Sequence, residues 1–431
     1  MNRILLASTA LVAAFIAAPA SAQIDKGCYN YSGQNVWTAK SVDKLRADIE
    51  CFKGAKDKAD ISIANREKRI VQLTPVTIGD VVEPELGANL DKIPAIVAPN
   101  YDRASLIGKA DLPVTAAPDN VGAFRFICEP GQLSYDDPVV FPGQPGKSHL
   151  HQWYGNTLAN GKSTYNSLRT TGESTCVNIL NRSAYWMPAM LDGTGYVVRP
   201  DFISIYYKRL PENSPLCTVQ GKACVPLPRG LRYVFGYNMM GDNPLRHGYF
   251  NCQGPTAKPG SYPLLGDAAP NCGPGNQLGA VIAAPECWDG IHLDSPDHRS
   301  HMGYPKWNDR GQLKCDDDHP YIVPTFTLGA WYDTGAAQTG APGSVSTWSL
   351  SSDSMNMDGK MVQMPAGTTF HADWFGAWDD EAMAAWMAGC INALKSCNDG
   401  NFGNGNAMRQ INQRRFKAEP RTVPIPVRPA M

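Results

Sequence analysis

The sequence contains no CxxC pair, although it carries 12 cysteines in 431 residues. That absence disfavours zinc ribbons and thioredoxin-like redox motifs. HExxH, GxSxG and P-loop patterns are missing too, which removes the commonest metalloprotease, serine-hydrolase and nucleotide-phosphate signatures. The run "GPGNQLG" at 273–279 has the wrong spacing for a dinucleotide loop and no strand–helix frame around it. Charged residues make up only 18% of the chain, and the formal net charge is −1. Lys and Arg form no basic block, so no nucleic-acid or anionic-membrane partner is indicated. Internal repeats and long low-complexity tracts are also lacking.

After the first residues there is no apolar run of the roughly 18 residues a membrane span requires. The opening "MNRILLASTALVAAFIAAPASAQ" reads instead as an export signal. Arg3 supplies the basic end, an apolar stretch runs from Ile4 to Ile16, and Ala20-Ser21-Ala22 is a small-x-small cleavage site before Gln23. No Cys follows that site, so a lipid anchor is not expected. A mature N-terminus at Gln23 lacks the histidine of a lytic polysaccharide monooxygenase copper site. The expected location is the periplasm or the medium, where paired cysteines are favoured. Cys217 with Cys224 and Cys390 with Cys397 each close an eight-residue loop, worth about 2.5 kcal/mol on a chain-entropy argument. Cys28 with Cys51, and Cys287 with Cys315, are further candidate pairs.

What the chain has in quantity is Gly (40) and Pro (34) between short aromatic and β-branched runs such as "FRFIC", "DFISIYYK" and "LRYVFGYN". This rhythm predicts a mainly β fold, an antiparallel sandwich or jelly roll. The expected organisation is a signal peptide over 1–22, a helical segment and Pro-rich connector over 23–123, a β-rich domain over 124–385, and a helix end with a Pro-rich tail over 386–431. The helical part of the second segment falls at 41–72, where Ser41 is an N-cap and Leu45, Ile49 and Phe52 recur at helical spacing. "DDEAMAAWMAGCINALKSC" predicts one late helix starting near Asp379 or Asp380, and the tail should be extended or disordered.

Chemistry concentrates in three segments that hold six of the eight histidines. "HLHQWYG" carries His149 and His151; "IHLDSPDHRSH" carries His292, Asp294, Asp297, His298 and His301; "HADWF" carries His371 and Asp373. On a strand, residues two apart share a face, so each His-x-His or His-x-Asp pair points one way. Imidazole with carboxylate suits zinc, copper(II), non-haem iron or manganese. A catalytic site of three protein ligands and one open position could use His149 and His151 with His301 or His371. Asp297 or Asp373 would act as general acid/base, with His298 and Arg299 beside them. Zinc or copper is the expected cofactor.

The same residues admit other readings. The histidines could be metal-free acid/base groups of a polysaccharide lyase or glycosidase, with Arg182 or Arg299 neutralising a substrate carboxylate. They could equally be structural hydrogen-bonding groups. Trp153, Tyr154 and Trp374 are either sugar platforms or ordinary core aromatics. Trp288 reads as core, and Asp316-Asp317-Asp318 as a solvated loop.

Four stretches, "DPVVFPGQPGKSHLHQWYGN", "RSAYWMPAM", "CWDGIHLDSPDHRSHMGYP" and "HADWFGAWD", together resemble a family of secreted bacterial and fungal proteins. It is catalogued as a domain of unknown function, and its fungal members often carry WSC carbohydrate-binding modules. The resemblance runs from about Phe124 to Asp379. It implies an extracellular, carbohydrate-rich setting and transfers no reaction. From the sequence, the leading expectation is an exported metal-dependent enzyme acting on a polysaccharide. The rival from another class is a non-catalytic envelope protein that binds carbohydrate or metal. Oligomeric state is left open.

Overall fold

Alternation along the strand Phe202–Arg209 sets the pattern for the larger sheet. Ile203, Ile205, Tyr207 and Arg209 are buried, and the residues between them are half-buried. That strand lies near the middle of a seven-stranded sheet in the order Gly248–Gln253, Gln277–Ala283, Thr325–Asp333, Phe202–Arg209, Gly122–Cys128, Lys395–Cys397, Thr115–Ala116. A five-stranded sheet has the order Arg232–Gly236, His371–Phe375, Ala184–Pro188, His151–Gly155, Leu133–Ser134, antiparallel throughout. Its three central strands are buried at every position, so both of their faces are covered.

This computed structural model describes residues 90–429, except 91, 97–98, 240–246, 336–344, 358–359, 411–417 and 419. The described residues fall within one compact unit, Glu83–Met431. The leader, the helix expected over 41–72, and Cys28 with Cys51 lie outside them.

One face of the five-stranded sheet, carrying Tyr154, Tyr185, Met187, Tyr233, Phe235 and Trp374, shares a single buried cluster with Phe126, Ile205, Leu278 and Phe326 of the larger sheet. Its opposite face carries Trp153, Ala184, Trp186, Val234 and Phe375 in a second cluster, with Val139, Tyr165 and Leu168. The chain is therefore mainly β, divided among several sheets. Five disulfides staple the described residues: Cys128–Cys176, Cys217–Cys224, Cys252–Cys272, Cys287–Cys315 and Cys390–Cys397.

The late helix spans Asp380–Trp386 and runs on as a π turn over Met387–Ile391. Asp379 caps it by accepting from the Ala382 N–H at 3.0 Å. Within the Pro-rich tail, Thr422–Pro424 forms a strand on Tyr196–Val198. Beyond it, the Pro426 carbonyl accepts from the Tyr135 hydroxyl at 3.0 Å. Among the described residues no helix is long and apolar enough to cross a membrane.

Candidate metal centre

Strand register brings the histidine segments together. Trp153 pairs with Trp186, and Trp186 pairs with Asp373, so these three lie in one row across the smaller sheet. His151 is two residues from Trp153 and His371 two from Asp373, so both imidazoles rise from the same face, one pleat further along. His149 precedes its strand and folds its ring over the other two. Ring centroids are 4.2 Å apart for His149 and His151, 5.0 Å for His149 and His371, and 6.3 Å for His151 and His371. Two sets of ligand atoms lie within 4.8 Å of one another: His149, His151 and His371, and Asp137, His151 and Asp373.

Backbone carbonyls orient two of the rings. His151 Nδ1 is 2.9 Å from the Asp136 carbonyl, and His371 Nδ1 is 2.7 Å from the Thr369 carbonyl. A carbonyl only accepts, so each Nδ1 carries the proton and each Nε2 presents a lone pair. The Thr369 turn is itself pinned by Asp353, which accepts from the N–H groups of Leu350, Gly367 and Thr369 and from the Thr369 hydroxyl. His149 Nε2, His151 Nε2 and both carboxylate oxygens of Asp373 are buried with no hydrogen-bond partner. Four such buried atoms would cost several kcal/mol if nothing satisfied them. His371 Nε2 stands 3.9 Å from Asp373 Oδ2, outside hydrogen-bond range.

His151 has one lone pair to give, so the two sets could share one ion but could not hold one each. Asp373 is the freer carboxylate. Asp137 Oδ1 already accepts from the N–H groups of Val139 and Val140, both at 2.8 Å, and its Oδ2 faces Trp186 Nε1 at 3.5 Å.

Burial dominates the electrostatics. It pushes His151 down to about 3, with the His371 charge adding to the effect, and His371 down to about 4. His149 is lowered well below its ordinary value by burial and by its two histidine neighbours. Burial pushes Asp137 up to about 6 and holds Asp373 well above the carboxylate range, the latter with help from Asp137 and against the Arg299 charge. The metal-free centre thus presents neutral imidazoles, the form that binds metal. A divalent cation would reverse the local field and favour the Asp373 carboxylate.

The third histidine segment contributes differently. His301 is engaged at both ring nitrogens, by the Ser295 hydroxyl at 2.8 Å and the Arg232 carbonyl at 3.0 Å, and is not part of either ligand set. Asp297 accepts from the Ser295 and Ser300 hydroxyls and the Ser300 and Arg299 N–H groups. Burial opposes its charge, but these bonds hold the carboxyl below its usual range. Arg299 donates to the Gly236 and Tyr237 carbonyls and places its charge near Asp373 and His371. His298 donates to Asp294 at 2.9 Å and faces the Asp137 charge. His292 is exposed, 2.6 Å from Asp289.

The aromatic and arginine candidates are covered by protein. Trp153 stacks on Trp186 at 4.5 Å beneath the centre, and Trp374 packs among Tyr233 and Phe326 in the main core beside Tyr154. Arg182 braces the Gly172 and Arg169 carbonyls and Asn100. Asp137 escaped the sequence reading. Its signal was an acidic pair, Asp136-Asp137, set before Pro138 and shortly upstream of the His149 pair.

A cleft of about 550 Å³ is lined by sequence neighbours of the centre but by none of His149, His151, His371, Asp137 and Asp373. Pro138, next to Asp137, lines it, as do Phe375, two residues from Asp373, and Arg232, Tyr165, Thr164 and Asn166.

Comparison with known proteins finds one family model, described as Domain of unknown function (DUF1996), matching residues 137–378. The match covers more than half of the chain, begins at Asp137, and contains every residue of the centre. No curated protein and no solved structure matches the chain.

Proposed function

The chain belongs to the DUF1996 family, and because that description carries no activity we propose a function from the geometry of the centre. The protein is an exported enzyme that holds one divalent transition-metal ion on His149, His151 and His371 with Asp373 beside them, and it acts on a polysaccharide. The observation that carries the metal is that ligand atoms of His149, His151 and His371 lie within 4.8 Å of one another, with Nε2 of His149 and of His151 buried and partnerless, as are both oxygens of Asp373. Three imidazoles and a carboxylate suit zinc or copper(II). No described cysteine is free to compete as a thiolate. Export is supported by the five disulfides, since such bonds persist in oxidising compartments.

The cleft supports the substrate class. A sugar unit needs an apolar face and several hydrogen-bonding groups, and Ile93, Pro94 and Pro142 supply the first while Thr164, Asn166 and Arg232 supply the second. The cleft meets the centre only through Pro138 and Phe375, which neighbour Asp137 and Asp373 in sequence. In this reading the contacts with sugar come from the cleft residues, and Trp153 and Trp374 support the sheet beneath.

The test is elemental analysis of the exported full chain purified without chelators, beside His149→Ala/His151→Ala. About one equivalent of one transition metal in the first and none in the second is the expected result. Metal-loaded and metal-stripped protein would then be compared for release of new chain ends from β-glucan, chitin and uronic-acid polymers. Absence of metal from both proteins, even after zinc or copper(II) is added back, overturns the metal centre. Equal action on these polymers with and without metal overturns the metal's catalytic role.

A further inference from the structure

We infer that the tail, over residues 422–429, is a strap that positions His149 at the metal centre, with Arg428 as its clasp. The inference rests on the metal reading above and deepens it by naming what holds the third imidazole in place.

His149 is the ligand that its own element secures least. His151 and His371 stand on strands, but His149 lies ahead of the strand His151–Gly155, at the end of a loop that starts near Asp136. The near end of that loop is fastened by the centre itself. His151 Nδ1 donates to the Asp136 carbonyl at 2.9 Å, and Asp136 Oδ1 accepts from the Gly146 N–H at 2.8 Å. The Tyr135 carbonyl accepts from the Ser148 N–H at 3.0 Å, one residue before His149. Tyr135 and Gly146 thus frame the approach to His149.

The tail grips both of these residues. Arg428 Nη1 donates to the Gly146 carbonyl at 3.3 Å, and its guanidinium carbon lies 4.5 Å from the centroid of the Tyr135 ring. The Tyr135 hydroxyl donates to the Pro426 carbonyl at 3.0 Å. Val423 and Ile425 pack on the cluster of Leu150, Ala189 and Val197, and Leu150 is the residue between the two histidines. The strap is anchored away from the centre. Thr422–Pro424 pairs with Tyr196–Val198, and the Ile425 N–H donates to the Gly195 carbonyl at 3.0 Å.

These contacts bear on metal binding through entropy. A ligand on a loop that is already ordered binds without the cost of ordering it, so a fixed loop tightens the metal and slows its release. His149 Nε2 is buried without a hydrogen-bond partner, so the position of its ring depends on the backbone that carries it. Arg428 is a positioning residue, acting on His149 through Gly146 and Tyr135. Pro426 contributes its carbonyl, and the apolar pair Val423 and Ile425 fixes the segment from behind.

The experiment measures zinc affinity by competition with a chromophoric chelator, and zinc release into excess chelator, for wild type and for the chain ended after Ile425. That end keeps the Thr422–Pro424 pairing and removes the Pro426 carbonyl and Arg428. The shortened chain should bind zinc about 10- to 100-fold more weakly and release it faster. Arg428→Ala should move both quantities the same way by a smaller factor. Arg428→Lys should recover most of that loss, because an ammonium can donate to the Gly146 carbonyl and lie over the Tyr135 ring. The effect must pass through His149. In His149→Ala the same shortening should weaken zinc by no more than about twofold, whereas a general loosening of the fold would act equally in both backgrounds. Equal affinity and release in wild type and the shortened chain, or the same factor with and without His149, would overturn the inference and leave the metal centre standing. Failure of wild type to bind zinc overturns both.

Discussion

Asp373 Oδ2 lies 3.9 Å from His371 Nε2, and neither oxygen of Asp373 accepts a hydrogen bond. The two residues alternate with Ala372 on one strand, so the backbone itself sets their side chains on one face. Burial favours the protonated form of this carboxyl without metal, and a cation that displaced the proton would meet the carboxylate and the imidazole lone pair together. That relationship drives the first prediction.

Zinc or copper(II) at a hundred times its dissociation constant should stabilise the wild-type fold by about 2.7 kcal/mol. Thermal unfolding with and without metal measures it as a rise in Tm. In His371→Ala the rise should vanish, because one of three imidazoles is gone. A full rise in that variant would remove His371 from the ligand set.

In metal-free protein the effects should invert between a ligand and its support. His149→Ala deletes a ring whose Nε2 is buried without a partner, so the apo fold should change by no more than about 1 kcal/mol. Trp153→Ala deletes a fully buried indole stacked on Trp186 and should cost about 4 kcal/mol. Denaturant melts of the two apo variants make the comparison.

The pH dependence follows from the depressed histidines. Burial holds folded His151 at about 3, against about 6.5 in the unfolded chain. Between these values the unfolded state binds a proton that the folded state does not, so the stability this ring allows above about 6.5 is lost as pH falls. Asp137, raised to about 6 by burial, has the opposite sign, since its folded form keeps a proton that the unfolded chain releases. Comparing apo His151→Gln with apo wild type isolates the ring. The variant should gain on wild type by about 2–3 kcal/mol between pH 7 and pH 4.5. A constant difference across that range would mean that the ring is not held neutral.

Asp379 anchors the late helix to the start of the described chain. It caps Ala382, accepts from the Tyr101 hydroxyl at 2.5 Å, and accepts from Arg103 at 2.9 Å. Burial opposes its charge, but these donors hold the carboxyl below its usual range. Asp379→Ala removes the cap and leaves Arg103 and the buried Arg169 short of a carboxylate. A loss of about 3 kcal/mol is expected, with metal content unchanged. An accompanying loss of metal would show that the helix also supports the centre.

Several features are written locally in the chain and need no partner to be read. Alternation of buried and half-buried residues in "FISIYYKR" is a property of one strand. Asp379 caps a helix that opens on Asp380 and Glu381 and continues with apolar residues. His-x-His and His-x-Asp are two-residue periods, so the shared face of each pair is set by the pleat alone.

Tertiary structure alone decided which pairs meet. Order within the smaller sheet places Ala184–Pro188 between the His151 and His371 strands, and no local period encodes that neighbour. The same holds for Cys128 with Cys176 and Cys252 with Cys272, whose partners are chosen by how the sheets close. Asp137 enters through a loop, which has no repeating pattern to announce it. His298 and His301 sit three residues apart in "HRSH", yet His301 is consumed by Ser295 and the Arg232 carbonyl while His298 pairs with Asp294. Sequence spacing determines the face a side chain takes on its own element; only packing between elements determines whether a donor, an acceptor or empty space lies opposite.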